Sequence, residues 1–375
     1  MAAHRGLAVP SYPVGEPLLV YSILNNFIRR EAMRKNVVFG AAVIAAGGLL
    51  VQPVLADEIA DLYQGRTVTI LYGYGTGGTY GKTSLVLSRH LGKFIPGNPT
   101  VITQSMPGAG GLKSANYAYN VMPKQGHNIL MPPDMSMVSQ LLRPQQVKYD
   151  SRNFTWLGRV FGSNNLLAVR RDTGVSSIED ARKKQVLMAS TGKGSPTFIV
   201  TSLVNGLVDT KFKIVEGYQG SHKSKLSVEQ GETQGISLAW ASWKSDREAW
   251  FKGSNSFMVP IVQSGFTRDE DWPNLPIIQE LTSDPDAKSA ADLIATSSLF
   301  GRGLAMPPGV PAKVTSALRE SFWKTVNSKD FLDDVQRTKL DYSPLKGDEI
   351  QKRVNQVLGM SPKAVAMARQ AIFGK

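Results

Sequence analysis

The residues in this chain whose types and spacing could do chemistry gather around a run of glycines, and the chemistry they suit is anion binding. Tyr72-Gly73-Tyr74-Gly75-Thr76-Gly77-Gly78-Thr79-Tyr80-Gly81-Lys82 follows an apolar run and precedes a helical pattern. A glycine turn that ends a strand and opens a helix offers free backbone N–H groups and a positive dipole end. The turn lies within 72 residues, between Asp61 and Asp134, that contain no Asp or Glu but six Lys/Arg. With no acid nearby to hold a magnesium ion or a ribose, the expected anion is a small acid and not a nucleotide.

Two nucleotide motifs fit nearly and fail. Gly73-Tyr74-Gly75-Thr76-Gly77-Gly78 matches G-x-G-x-x-G, but Gln104 and Ser105 stand where a ribose-holding acid belongs. Gly81-Lys82-Thr83 resembles the end of a phosphate loop, yet the first glycine of that spacing falls on Thr76. The four histidines (His4, His90, His127 and His222) have neither a Gly-x-Ser-x-Gly turn nor paired-ligand spacing beside them. Cysteine is absent from the sequence, which excludes disulfides, thiolate metal sites and cysteine nucleophiles. No catalytic residue, metal or cofactor is expected.

The elements that must position the glycine turn alternate between strand and helix. Val68–Leu71 is a strand, and Leu87, Leu91 and Phe94 mark a helix face. Val101–Thr103 is a second strand, Pro107-Gly108-Ala109-Gly110-Gly111 turns into another helix, and Ile129–Met131 is a third strand. This βαβαβ order implies parallel strands with glycine turns at the carboxyl edge of the sheet, where ligands of open α/β sheets bind. A second set follows Leu166–Val169: Val186–Ala189, the turn Ser190–Thr197, Phe212–Val215, Gly235–Trp240 and Phe257–Val262. From Pro311 onward the pattern is helical. Gly77-Gly78-Thr79, Gly108–Gly111 and Gly192–Ser195 thus converge from two lobes, with hydroxyl donors at Thr79, Ser195 and Thr197.

The 375 residues are enough for two domains, and 42% apolar with 8% aromatic residues describes an ordinary globular chain. At its start, Arg34 and Lys35 precede an apolar run from Val37 to Val51 and Val54-Leu55-Ala56 before Asp57. That is the pattern of a secretory signal, and the run falls short of the roughly 20 residues that span a bilayer. The expectation is an over-extended start at 1–32, a signal at 33–56 and a mature periplasmic chain from about Asp57. Cleavage there removes five of the 43 Lys/Arg and two of the 30 Asp/Glu, leaving a net charge of +10. The basic residues are scattered, so no nucleic-acid partner is expected.

At these residues the chain resembles a known family, the extracytoplasmic solute receptors of tripartite tricarboxylate transporters (Bug receptors). The resemblance covers about residues 65–360. Beyond the three glycine turns it includes Tyr218-Gln219-Gly220-Ser221 with Gly231-Glu232, Leu275-Pro276-Ile277-Ile278-Gln279-Glu280, and Pro307-Pro308-Gly309-Val310-Pro311. It implies an α/β class II periplasmic binding protein: two lobes, a two-strand hinge, and a carboxylate held between them for delivery to a membrane permease, without a reaction. The expected lobes are 57–165 plus 300–375, and 166–299, in a monomer, with crossing strands near Leu166–Arg170 and Thr296–Arg302. Many relatives carry an aspartate soon after the first Gly-Gly; here Tyr80-Gly81-Lys82 stands there, which disfavours an amino-acid ligand. Phe198 replaces a usual histidine, and Ala239-Trp240 replaces a Phe-Asp pair.

Ligand contacts are therefore expected from Tyr74, Gly77, Gly78, Thr79, Tyr80 and Ser136 on one lobe. Lys193, Gly194, Ser195, Thr197 and Trp240 should face them from the other, with Lys193 as a fixed charge and Trp240 as an aromatic floor. Two rivals remain open: a sensor subunit serving a membrane kinase, and an enzyme on the same two-lobe fold.

Overall fold

The computed structural model describes residues 58–374; the start at 1–32 and the leader at 33–56 lie outside the described residues. The first sheet opens with β1 (Thr67–Tyr72), whose Val68, Ile70, Leu71 and Tyr72 are buried. Helix α1 (Thr79–Leu91) crosses to β2 (Thr100–Ser105), and α2 (Leu112–Asn120) crosses to β3 (Asn128–Met131). Both β2 and β3 pair in parallel with β1, as the βαβαβ order requires. Helix α3 (Ser136–Leu142) then leads to β4 (Thr155–Arg159).

The second sheet takes over at β5 (Asn165–Arg170), followed by α4 (Ile178–Lys183), β6 (Val186–Ser190), α5 (Pro196–Val208) and β7 (Phe212–Glu216). It continues through α6 (Ser221–Glu229), β8 (Gly235–Ala239), α7 (Trp240–Arg247) and β9 (Met258–Ser264). Helices α8 (Pro285–Ala295) and α9 (Ser297–Phe300) lead back to β10 (Gly303–Met306) in the first sheet. The chain ends through α10 (Ala312–Val326), α11 (Lys329–Arg337), β11 (Leu345–Lys346), α12 (Gly347–Leu358) and α13 (Pro362–Phe373).

The strand orders are β11-β4-β10-β3-β1-β2 and β7-β6-β8-β5-β9. Without β11 the two sheets repeat one pattern, a parallel trio joined to two strands of alternating direction. The carboxyl ends of the two trios carry the turns that open α1 and α5. Each turn meets the opposite lobe: the Gly75 amide of the α1 turn donates to the Gln219 carbonyl before α6 at 2.6 Å, and Ser139 Oγ of α3 reaches the Gly194 carbonyl of the α5 turn at 3.5 Å.

The chain passes between the sheets at 160–164 and again at 296–302. The two passages run side by side, since the Val160 amide donates to the Arg302 carbonyl and the Arg302 amide donates to the Phe161 carbonyl, both at 2.9 Å. These bonds extend the β4–β10 ladder beyond Arg159↔Gly303. The first crossing lies just before the expected strand, and the second lies at the expected residues but in a different conformation. Leu166–Arg170 is a central strand of the second sheet, and most of Thr296–Arg302 is the helical turn α9, which Gly301 ends at φ 44°. The tail is divided as well: α12 packs on β4 of the first sheet, whereas α13 packs on α5 and α8. No helix among the described residues is long and apolar enough to cross a membrane.

Candidate functional site

Helix α1 starts at Thr79, after Gly78 at φ −91° and ψ 179°, and no side chain caps it. Its first-turn amides have no partner inside the helix. The Gly78 backbone is ordinary, so what favours a glycine there is space. A Cβ there would lie 2.5 Å from Ser221 Oγ, at the start of α6 on the opposite side of the cleft. Gly110 is required twice over, because φ is +67° and a Cβ would lie 2.6 Å from the Ser195 amide nitrogen.

Helix α5 starts at Pro196, where the missing N–H costs nothing. Ser195 Oγ turns back to the Gly192 carbonyl at 2.7 Å and to Thr197 Oγ1 at 2.6 Å. Thr197 Oγ1 also accepts from the Thr191 amide at 2.9 Å and reaches Ser190 Oγ at 3.3 Å. These hydroxyls satisfy one another and fix the turn.

Between the two helix starts lies a small cavity of about 40 Å³. Gly78, Thr79 and Tyr80 line it from α1, Pro196 and Thr197 from α5, Ser221 from α6, and Ala239 and Ser242 from the start of α7. Four helix N-termini therefore border one small space, and each favours negative charge by typically about 0.3–1 kcal/mol.

The cavity's charged wall comes from Asp134, after β3, and Arg302, at the crossing between lobes. Arg302 Nη1 sits 3.3 Å from Asp134 Oδ2, and its guanidinium lies 3.9 Å over the Tyr80 ring. Tyr80 Oη accepts from the Asp134 amide at 2.8 Å, and Tyr74 Oη donates to the Gly110 carbonyl at 2.9 Å. Burial pushes the Asp134 carboxyl above its usual range, while the Arg302 charge and hydrogen bond pull it back. Burial also pushes the Tyr74 and Tyr80 hydroxyls up, so both stay protonated.

Of the residues expected from sequence, Tyr74, Gly78, Thr79, Tyr80 and Thr197 line this cavity. Gly77 lies at the rim against His222, and Gly194 packs on Ala109 and Leu112. Ser136 donates its hydroxyl to the Pro133 carbonyl behind the wall, and Ser195 is spent inside its own turn. Lys193 is exposed in a separate groove of about 510 Å³ at the cleft mouth, with Arg143 and Glu216. Trp240 forms no aromatic floor. It opens α7, donates its indole N–H to Asp271 at 2.7 Å and packs edge-on against Phe251 and Trp272. Phe198 stacks on Phe373 of α13.

Sequence reasoning missed Asp134, Asn165, Thr191, Ser221, Ser242 and Arg302 in the lining. One signal was available: Asp134 is the first acid after the long acid-free stretch, directly behind a predicted strand.

No family model matches this chain, and no curated protein matches it either. Solved structures do. The periplasmic binding protein BugD superposes with a TM-score of 0.66 at 15% identity, over 82% of this chain and 98% of that one. An adipate-bound protein of R. palustris gives 0.63 at 17%, over 81% and 97%. MatC from Rhodopseudomonas palustris, with bound malate, gives 0.62 at 15%, over 81% and 99%. At such identities the likeness is one of fold, and it extends over nearly the whole of each neighbour. The described residues of this chain have the two-lobed α/β fold of the periplasmic solute-binding proteins.

Proposed function

We propose that this protein is a periplasmic receptor that captures a small organic acid and hands it to the permease subunits of a tripartite tricarboxylate-type transporter, without chemical turnover. The observation that carries this reading is the cavity bordered by uncapped helix starts from both lobes. The adipate and malate held by neighbours of the same fold support a carboxylate ligand. On this reading residues 58–159 and the first-sheet part of the tail form one jaw, and 165–295 the other. The passages at 160–164 and 296–302 act as the hinge, and the chain leaves the cytoplasm behind a leader cleaved near Asp57.

A thermal-shift panel of mono-, di- and tricarboxylates, aromatic acids, amines and sugars tests the ligand class, since a ligand that binds the native state raises apparent stability. One or more acids should raise Tm in a saturable way. Stabilisation by amines or sugars alone would overturn the proposal. For localisation, N-terminal sequencing of the exported protein should read from about Asp57, and an intact Met1 would refute the leader.

A further inference from the structure

Five residues that line the cavity each hold a buried polar atom with no hydrogen-bond partner among the described residues: Thr79 Oγ1, Asp134 Oδ1, Asn165 Oδ1, Ser242 Oγ and Arg302 Nε. These residues are between 1% and 6% exposed. Leaving such an atom unpaired forfeits the hydrogen bonds it made to water in the unfolded chain. One orphan in a fold is unremarkable, but five around a single cavity form a set that a ligand can complete.

Their chemistry is unequal. Arg302 Nε can only donate, and the Thr79 and Ser242 hydroxyls can do either. Asp134 Oδ1 belongs to a carboxylate whose other oxygen is held by Arg302, so it can only accept. A plain carboxylate group brings acceptors alone. It would suit Arg302 Nε and the helix starts, and it would leave Asp134 Oδ1 facing another oxygen.

We infer that the acid held in this cavity carries, beside its carboxylate, a group that donates hydrogen bonds, a hydroxyl or an ammonium, directed at Asp134 with Asn165 as a second contact. This rests on the carboxylate reading above and narrows it to hydroxy or amino acids. The donor group would also join the lobes, since Asp134 follows β3 of the first sheet and Asn165 opens β5 of the second. It revises the expectation drawn from Tyr80-Gly81-Lys82. No side chain fits at Gly81, where a Cβ would lie 2.0 Å from the Thr76 carbonyl oxygen, and the acid arrives instead from another strand end. Arg302 neutralises Asp134, so the wall attracts a donor without repelling the ligand's own carboxylate.

Succinate, malate and aspartate share one four-carbon diacid skeleton and differ at C2 by hydrogen, hydroxyl or ammonium. Calorimetry on the wild-type protein should give malate or aspartate at least a ~10-fold tighter Kd than succinate, because a site built to pair a donor rejects the analogue lacking it. The tighter of the two identifies the donor. Asp134→Asn should shrink that preference to less than ~3-fold, whatever its effect on succinate itself. Succinate binding as tightly as both others would overturn the inference, as would Asp134→Asn weakening all three alike. The wild-type comparison decides the class even where Asp134→Asn does not fold. If only a larger acid binds, the same comparison is made between it and its hydroxy and amino counterparts. If no acid of any kind binds, the carboxylate reading itself falls.

Discussion

The turns that open α1 and α5 hold equivalent places in two sheets of one strand pattern, yet they treat their polar groups in opposite ways. In the α5 turn, Ser190, Thr191, Ser195 and Thr197 bond to one another and to the local backbone. In the α1 turn, Thr79 Oγ1 has no partner among the described residues, and the carboxylate beside it is half satisfied. A fully bonded turn is rigid and has little left to offer a ligand, whereas an unsatisfied one is held ready at a cost in stability. Equivalent topology therefore does not imply equivalent duty: one turn is a wall, and the other is a contact surface.

The largest expected effect tests whether the α1 turn must approach the start of α6 closely. Gly78→Val places a branched side chain against Ser221, where even a Cβ would lie 2.5 Å from Oγ. Its backbone stays comfortable at φ −91°, so folding should survive while the jaws cannot shut. Binding of the tightest acid should weaken ~100-fold or more, corresponding to the upper range of overpacking costs. Gly78→Ala should weaken binding less, and pairing it with Ser221→Ala should restore most of the loss. Full affinity in Gly78→Val would show that closure on this turn is not part of binding.

A second difference lies at the far ends of the same helices. The end of α1 is pinned to α11 by charge: Asp334, 2% exposed, bonds Arg89, His90 and Arg337. Burial pushes its carboxyl up, but hydrogen bonds from Arg337, His90 and Arg89 outweigh that and hold it at about 2. The α5 end is pinned by the neutral amide of Asn205, which bonds Thr210 and both backbone groups of Phe212. A carboxyl depressed in the folded state contributes stability that is complete above its unfolded value near 3.8 and lost as pH falls through about 2. Acid titration followed by hydrogen exchange should thus loosen α1 before α5, and Asp334→Asn should flatten that limb. Simultaneous loosening of both helices would break the contrast.

Much of this arrangement was legible in the sequence because it is local. The glycine turns, the short apolar strands and the parallel order follow from spacing over ten to thirty residues. What escaped was the wall of the cavity. Asp134 and Arg302 are 168 residues apart, and only the crossing between lobes brings the Gly301-Arg302-Gly303 segment beside the end of β3. Trp240 was misplaced for a different reason. The strand ends at Ala239, and the next residue begins a helix that swings the indole toward Asp271. Periodicity marked the apolar run but not the residue at which strand becomes helix.

The two threonines sharpen the contrast on a smaller scale. Thr197→Ala removes the centre of a hydroxyl network and should lower the stability of unliganded protein by about 1–3 kcal/mol, visible in chemical denaturation. Thr79→Ala removes a hydroxyl with no partner and should leave that stability within about 0.5 kcal/mol of wild type. It should instead weaken ligand binding by about 1 kcal/mol, the net worth of one hydrogen bond. If Thr79→Ala destabilises the free protein as much as Thr197→Ala does, the division between wall and contact surface is wrong.

Lys82 should matter least. It stands where a phosphate-loop lysine would stand, but it reaches away from the cavity to the Ser245 carbonyl at 3.4 Å, Ser245 Oγ at 3.3 Å and Asp246 Oδ2 at 3.8 Å. Asp246 already serves the buried Lys225, so Lys82 adds a second, partly exposed partner across the cleft. Such a contact is worth less than about 1 kcal/mol and is screened by salt. Lys82→Ala should therefore raise Kd by less than ~5-fold, through faster release as the closed jaws lose one tie, and the difference from wild type should shrink as salt is raised. Loss of all binding in Lys82→Ala, together with retained binding in Gly78→Val, would reverse the assignment: the lysine would hold the anion, and the close approach of the turns would be packing alone.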